Sequence, residues 1–264
     1  MGVWGNLYSD SLSKLDQVTD LKILANNLSE IDSGAICANP SLKKFELVLG
    51  PETSLQKLTK SHFHNCQNLE EVSIVGIYKN SSTSIEKGAF EDLTNLKNLN
   101  LANLEIPHLT HNFFKNLNSL THLSVRKCGI EKLESGVFDD LKNIEEIAIF
   151  FNKFTTLPEN LFKNNGKAKR VVLFSNNITD LTWDEFAGLD SVTDLLIGRN
   201  SVAHFDAGKI AKHMPQLREL NMELNPISCE EIEQFAKELT SKLNHTVKVT
   251  HMSDPSAPNS CIYQ

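Results

Sequence analysis

The chain has 264 residues, 26 of them basic and 33 acidic, for a formal net charge of -7; 40% are hydrophobic and 22% charged. This is the composition of a folded soluble protein, and its acidity speaks against nucleic acid as the main partner, because phosphate contacts draw on a basic surface. No apolar run approaches the roughly 20 residues of a membrane-spanning helix, so no membrane span is expected.

Met1 is followed by Gly2, Val3 and Trp4, with neither a charged region nor a long apolar stretch, so no signal peptide is legible. The expectation is a cytosolic chain or one whose leader has been removed. An internal period then decides the fold. Trp4, Leu7, Leu12 and Leu15 fill the later slots of a truncated repeat, and Val18, Leu21, Ile23, Leu28, Ile31 and Ile36 fill a whole one. Leu42, Phe45, Leu47, Leu55, Leu58 and Phe63 follow with a short insertion, as do Leu69, Val72, Ile74, Ile85, Phe90 and Leu93. The register is clearest in Leu96, Leu99, Leu101, Ile106, Leu109, Phe114 and Leu117. A shift of about 24 residues, within the leucine-rich range, gives Leu120, Leu123, Val125, Ile130, Leu133, Phe138 and Leu141. Further shifts reach Ile147 and Ile149, then Val171 and Leu173, Leu195 and Ile197, and finally Leu220 and Met222.

Each unit reads as a short strand, L-x-x-L-x-L, with alternating burial, followed by a turn and a return segment carrying a Phe. One unit cannot bury its apolar side alone, so the units must stack. Asn26, Asn152, Asn176, Asn200 and Asn225 recur just after the strand, where a buried Asn satisfies backbone groups that the turn leaves unpaired. After Ile227 the repeat stops. Ser228 and Glu231 form a capping box, Ile232, Phe235, Ala236, Leu239 and Leu243 make one apolar helical stripe, and Val247 and Val249 alternate as a final strand. Asp254 to Asn259 read as an irregular tail ending near Cys261.

These motifs resemble the extracellular typical-type leucine-rich repeat, as in Toll-like receptor ectodomains and secreted arthropod immune repeat proteins. The resemblance implies an α/β solenoid: a horseshoe with a parallel concave β-sheet, an irregular or short-helical convex side and a C-terminal helix–strand cap. Residues 1–17 form a partial N-terminal repeat, 18–227 the array and 228–264 the cap. The family binds proteins, glycans or lipids. Leu104 and Cys128 depart from the Asn ladder, although Cys is an accepted substitute in such families, and no cysteine-rich N-terminal cap is visible.

There are five cysteines. Cys128 occupies a ladder slot and is expected to be a buried free thiol. Cys229 and Cys261 bracket the cap, and Cys37 and Cys66 fall in nearby slots of adjacent repeats; both pairs are expected as disulfides, which points to an oxidising, extracellular compartment. Asn27, Asn80, Asn177 and Asn244 head N-x-S/T sequons and are candidate glycosylation sites, though so Asn-rich a chain produces such triplets by chance.

Catalytic signals are weak. His62, His64 and Cys66 form an H-x-H-x-C run without the paired motifs of a structural zinc site. Glu70 with Glu71, and Glu145 with Glu146, read as solvated surface. No nucleophile elbow, phosphate loop or H-E-x-x-H is present. No enzyme activity, metal or cofactor is expected.

Binding is expected on the outward strand slots. Phe150 and Phe174 share one slot on neighbouring strands, with Phe151, Ala148, Val172 and Leu196 around them. Arg126 and Lys127 precede this group, Lys169 and Arg170 lie within it and Arg199 follows. Aromatic anchors rimmed by Arg are the chemistry of an interface. A protein, glycan or lipid ligand, a homodimer partner or a loop of the chain itself would each cover it. A second candidate is the pair of inserted loops, Leu49 to Glu52 and the segment holding Tyr78, Lys79 and Asn80. The leading reading is a secreted recognition protein, with innate immunity or host–parasite contact as its setting by resemblance. The alternatives are an adhesive matrix component and a cytosolic scaffold.

Overall fold

The computed structural model describes residues 2–3, 5–77, 82–252 and 260–263, the first and last of these segments as backbone alone. Twelve strands form one sheet in which chain order is spatial order. They are β1 (Gly2–Val3), β2 (Asp20–Ala25), β3 (Lys44–Leu49), β4 (Glu71–Gly76), β5 (Asn98–Ala102), β6 (His122–Arg126), β7 (Glu146–Phe150), β8 (Arg170–Val172), β9 (Asp194–Leu196), β10 (Glu219–Asn221), β11 (Lys248–Met252) and β12 (Ser260–Tyr263). All neighbours run parallel except β11 and β12, which are antiparallel. The expected irregular tail therefore ends in a strand that pairs back on the cap.

Register follows from the leucine pattern, because a slip of one residue would turn every apolar side chain outward. Leu21, Phe45, Val72, Leu99 and Leu123 are in register across β2 to β6. Ile147, Val171, Leu195, Leu220 and Val249 continue the row to β11. All ten are buried. On the return side the Phe slot builds a second continuous row. Phe114 stacks on Phe138 at 6.3 Å and Phe138 on Phe162 at 5.8 Å. Phe186 follows at 5.8 Å, and the chain of rings passes through Trp183 and Phe205 to Phe235 of the cap helix.

Between these rows lies the Asn ladder. Asn152, Asn176, Asn200 and Asn225 are buried. Each Oδ1 accepts a backbone N–H of the preceding repeat, such as Asn152 N–H to Asn176 Oδ1 at 2.9 Å. Each Nδ2 donates to strand carbonyls, as from Asn176 to Ile149 and Leu173. Cys128 occupies its expected rung as a buried free thiol, donating weakly to the Leu101 and Arg126 carbonyls. Burial pushes this thiol up to about 11.

Asn26 does not join the ladder. It is exposed, and Asn27 instead accepts the Gly5 N–H at 2.8 Å. The cause is one extra strand residue. β2, β3 and β4 are six residues long, and Ala25 fills the inward slot. Gly50 then lies directly over Asn26, where an added Cβ would stand 2.7 Å from the Asn26 Cα.

The array ends in the expected cap. Helix α2 (Cys229–Leu243) starts at the Ser228–Glu231 capping box and buries Ile232, Phe235, Ala236 and Leu239. A shorter helix that the repeat pattern does not announce, α1 (Ala207–His213), replaces one return segment; Asp206 caps it by accepting the Lys209 N–H. Cys37 and Cys66 are disulfide-bonded, with Cα atoms 5.2 Å apart. Cys229 is also disulfide-bonded; the side chain of Cys261, its expected partner, lies outside the described residues.

Candidate binding face

Strand alternation puts three outward positions on each five- or six-residue strand and two on the three-residue β8, β9 and β10, whose third position falls just beyond the strand. In-register stacking turns them into three rows about 4.8 Å apart from strand to strand. The first row is charged and largely self-neutralised. Lys44 meets Glu71 at 2.9 Å, Arg170 meets Asp194 at 3.7 Å and Lys248 meets Glu219 at 3.0 Å. In the middle row Lys22 meets Glu46 at 2.9 Å and Asn100 donates to Ser73 at 2.9 Å. The paired carboxylates of the sequence are part of this pattern. Lys97 and Lys43 hydrogen-bond Glu70 and hold its carboxyl below the usual range, and Lys169 does the same for Glu145. A hollow of about 410 Å³ lies over this polar half, bordered by Lys22, Glu46, Glu71, Asn98, Asn100 and His122.

The C-terminal half of the face is different. From β6 to β9 the middle row reads Ser124, Ala148, Val172 and Leu196, with Ala148 level with Val172 and Val172 level with Leu196. Beside it, at the strand ends, stands an aromatic cluster. Phe150 is level with Arg126 of the neighbouring strand. The ring of Phe151 packs 5.6 Å from Phe150 and edge-on, 6.0 Å, to Phe174. Lys127 covers the Phe151 ring at 5.5 Å and Arg199 covers the Phe174 ring at 5.7 Å. Phe150 and Phe174 are half-buried, and Phe151 is 42% exposed.

The cluster depends on a backbone device. One residue just beyond the strand in successive repeats has positive φ: Asn103, Lys127, Phe151, Ser175, Arg199 and Leu224. This turn lifts each side chain onto the rim of the concave face. Phe151 sits there at φ 54°, a conformation that suits Asn and carries a cost for a bulky residue, one that Lys127, Arg199 and Leu224 carry at the same turn position.

The structure thus brings together Phe150, Phe151, Phe174, Arg126, Lys127 and Arg199, with Val172 and Leu196 alongside. It separates Lys169 and Arg170 from them. Arg170 opens β8 and Lys169 precedes it, about 13 and 17 Å along the chain from Phe174 at 3.3 Å per residue, and they are tied to Asp194 and Glu145. The proposed second loop, Tyr78, Lys79 and Asn80, lies outside the described residues. Of the other sequons, Asn177 and Asn244 are exposed and Asn27 is half-buried. Sequence reasoning did not anticipate an aliphatic strip at the other end of the third row, where Leu24 is level with Val48 and Val48 with Val75. Leu24 is 45% exposed, as is Ile77 nearby at 51%. The three-row count would have revealed it.

His62, His64 and Cys66 do not converge on a ligand. Cys66 is in the disulfide, and the His62 ring accepts the Thr59 N–H at 3.0 Å, closing a short 3-10 turn. No group of three or more His, Cys, Asp or Glu that would hold a metal occurs among the described residues. No helix among them is long and apolar enough to cross a membrane.

Residues 6–80 and 76–193 match the family described as BspA type leucine rich repeat region, in six copies. The chain is a leucine-rich-repeat protein of the BspA type. No curated protein sequence matches it. Among solved structures, this repeat protein is similar to one described as the crystal structure of a TLR13–ssRNA13 complex, with TM-score 0.70, 23% identity, and 84% of this chain covered against 31% of that one. It is also similar to a Toll–Spatzle complex, described as a molecular hub in Drosophila development and innate immunity, with TM-score 0.65, 19% identity, and 93% against 38% covered. The leucine-rich-repeat chain therefore spans about a third of the length of these structures. Because one of them is an RNA complex, the fold itself gives no ground for excluding nucleic acid; that expectation rests on the charge of this chain alone.

Proposed function

We propose that this leucine-rich-repeat chain is an extracellular, non-catalytic recognition module that holds a protein partner on its concave face. The observation that carries the reading is the cluster of Phe150, Phe151 and Phe174 at the strand ends. Three phenylalanines clustered at the strand ends, one of them 42% exposed, fit an anchor for a partner better than a solvated surface. The disulfide-bonded cysteines support an oxidising compartment. A role in innate immunity is carried over from the Toll-like fold by analogy.

The test is selection of a random-peptide display library on the purified protein, followed by affinity measurement on the F150S/F174S double variant. Peptides are expected to bind the parent and to lose at least about tenfold in affinity to the variant, with circular dichroism unchanged. Where the double variant fails to fold, F151S, which removes only the exposed ring, takes its place. Equal binding by parent and variants would remove the aromatic cluster from the function.

A further inference from the structure

The cations around the aromatic cluster behave unlike those on the rest of the face. Lys22, Lys44, Arg170 and Lys248 each meet a carboxylate of an adjacent strand within 4 Å. Arg126, Lys127 and Arg199 have no carboxylate partner among the described residues. Two of them instead lie over the Phe151 and Phe174 rings. In a chain of net charge -7, three cations without partners at the edge of an apolar patch concentrate positive potential where the rest of the face is neutral or acidic.

We propose that the partner of this cluster is a short acidic segment of another protein carrying an aromatic or aliphatic side chain. This rests on the binding role proposed above. The apolar side chain would sit among Phe150, Phe151 and Phe174, with carboxylates reaching Arg126 and Lys127 on one side and Arg199 on the other. The cations span β6 to β9, three strand spacings or about 14 Å, which is about four residues of extended chain. A nucleic acid fits less well. Glu223, whose backbone carbonyl accepts the Arg199 N–H, borders the patch and repels any anion alike, but phosphates would also continue past the patch onto Glu146 in the first row, half-buried on the same face, and there be repelled. Carboxylates placed only at the patch escape that repulsion.

The display selection that tests the binding role also tests its chemistry. The Phe-dependent peptides are expected to be rich in Asp and Glu flanking one aromatic or aliphatic residue. A synthetic peptide of that sequence should weaken as salt rises and lose at least about tenfold on the R126E/R199E variant. A single-stranded oligothymidylate should neither bind nor compete. Phe-dependent peptides that are neutral or basic, or an undiminished affinity of R126E/R199E, would overturn the acidic assignment and leave the binding role standing. Competition by the oligothymidylate would give the site to nucleic acid. Concentration-dependent dimerisation lost in F150S/F174S would give it to a second copy. Absence of any Phe-dependent peptide would remove both the role and the partner.

Discussion

Phe151 concentrates the conflict between folding and binding in one residue. A left-handed conformation costs a non-glycine residue about 1–2 kcal/mol, with Asn among the exceptions, and Asn103 holds the same turn position two repeats earlier. Against that saving, F151N would lose two ring contacts worth about 0.5–1.5 kcal/mol each. The two effects nearly offset, so F151N is expected to change the unfolding free energy by less than about 1 kcal/mol while weakening peptide binding. Denaturant unfolding and titration calorimetry on the same sample check this. A large loss of stability with full binding would mean that Phe151 is there for packing alone. At this scale the sequence was a good guide to Phe150 and Phe174, which strand alternation turns outward, whereas Phe151 reaches the surface through a positive-φ turn that alternation does not announce. It misled at Asn26, because the extra residue in β2 changes no leucine of the pattern, and at Lys169 and Arg170, because adjacency in sequence hides the length of a strand.

Elements are joined by polar contacts that the leucine pattern does not encode. Asp184, on a return segment, accepts from Lys209 of α1 at 2.8 Å and lies 2.9 Å from the His213 ring nitrogen. These hydrogen bonds hold its carboxyl down, from 3.8 to about 2. A carboxyl with a depressed folded value stabilises the fold above its ordinary value and ceases to as pH falls toward the depressed one. D184N is therefore expected to melt below the parent at neutral pH, with the gap closing between about pH 4 and pH 2. Thermal melts across that range read it directly, and a gap that does not change with pH would show that the contact is not electrostatic. The α1 helix itself was not legible, since Phe205 and Ile210 on either side of its start satisfy the repeat slots as well as a coil would. The α2 cap was legible because its capping box and apolar stripe are both local signals. The closing strand β12 was not, since four residues after a Pro-containing segment give no period to read.

On the scale of the whole molecule, each repeat touches only its neighbours, so the stack is a rigid one-dimensional support for its concave face. Fold class was readable from one period because every repeat restates it. Ligand chemistry was less so, since it depends on which cations find carboxylates across strands, and that is decided by side-chain reach. The central claim is that a partner lies on the concave rim at Phe174 and not on the convex side. It is tested most directly by placing the photo-crosslinking amino acid benzoylphenylalanine at position 174, or at exposed Ser135 beyond the convex strand Lys132–Leu133, and irradiating with the selected peptide. A covalent adduct from position 174 and none from 135 is the expected result; an adduct from 135 with none from 174 would contradict it.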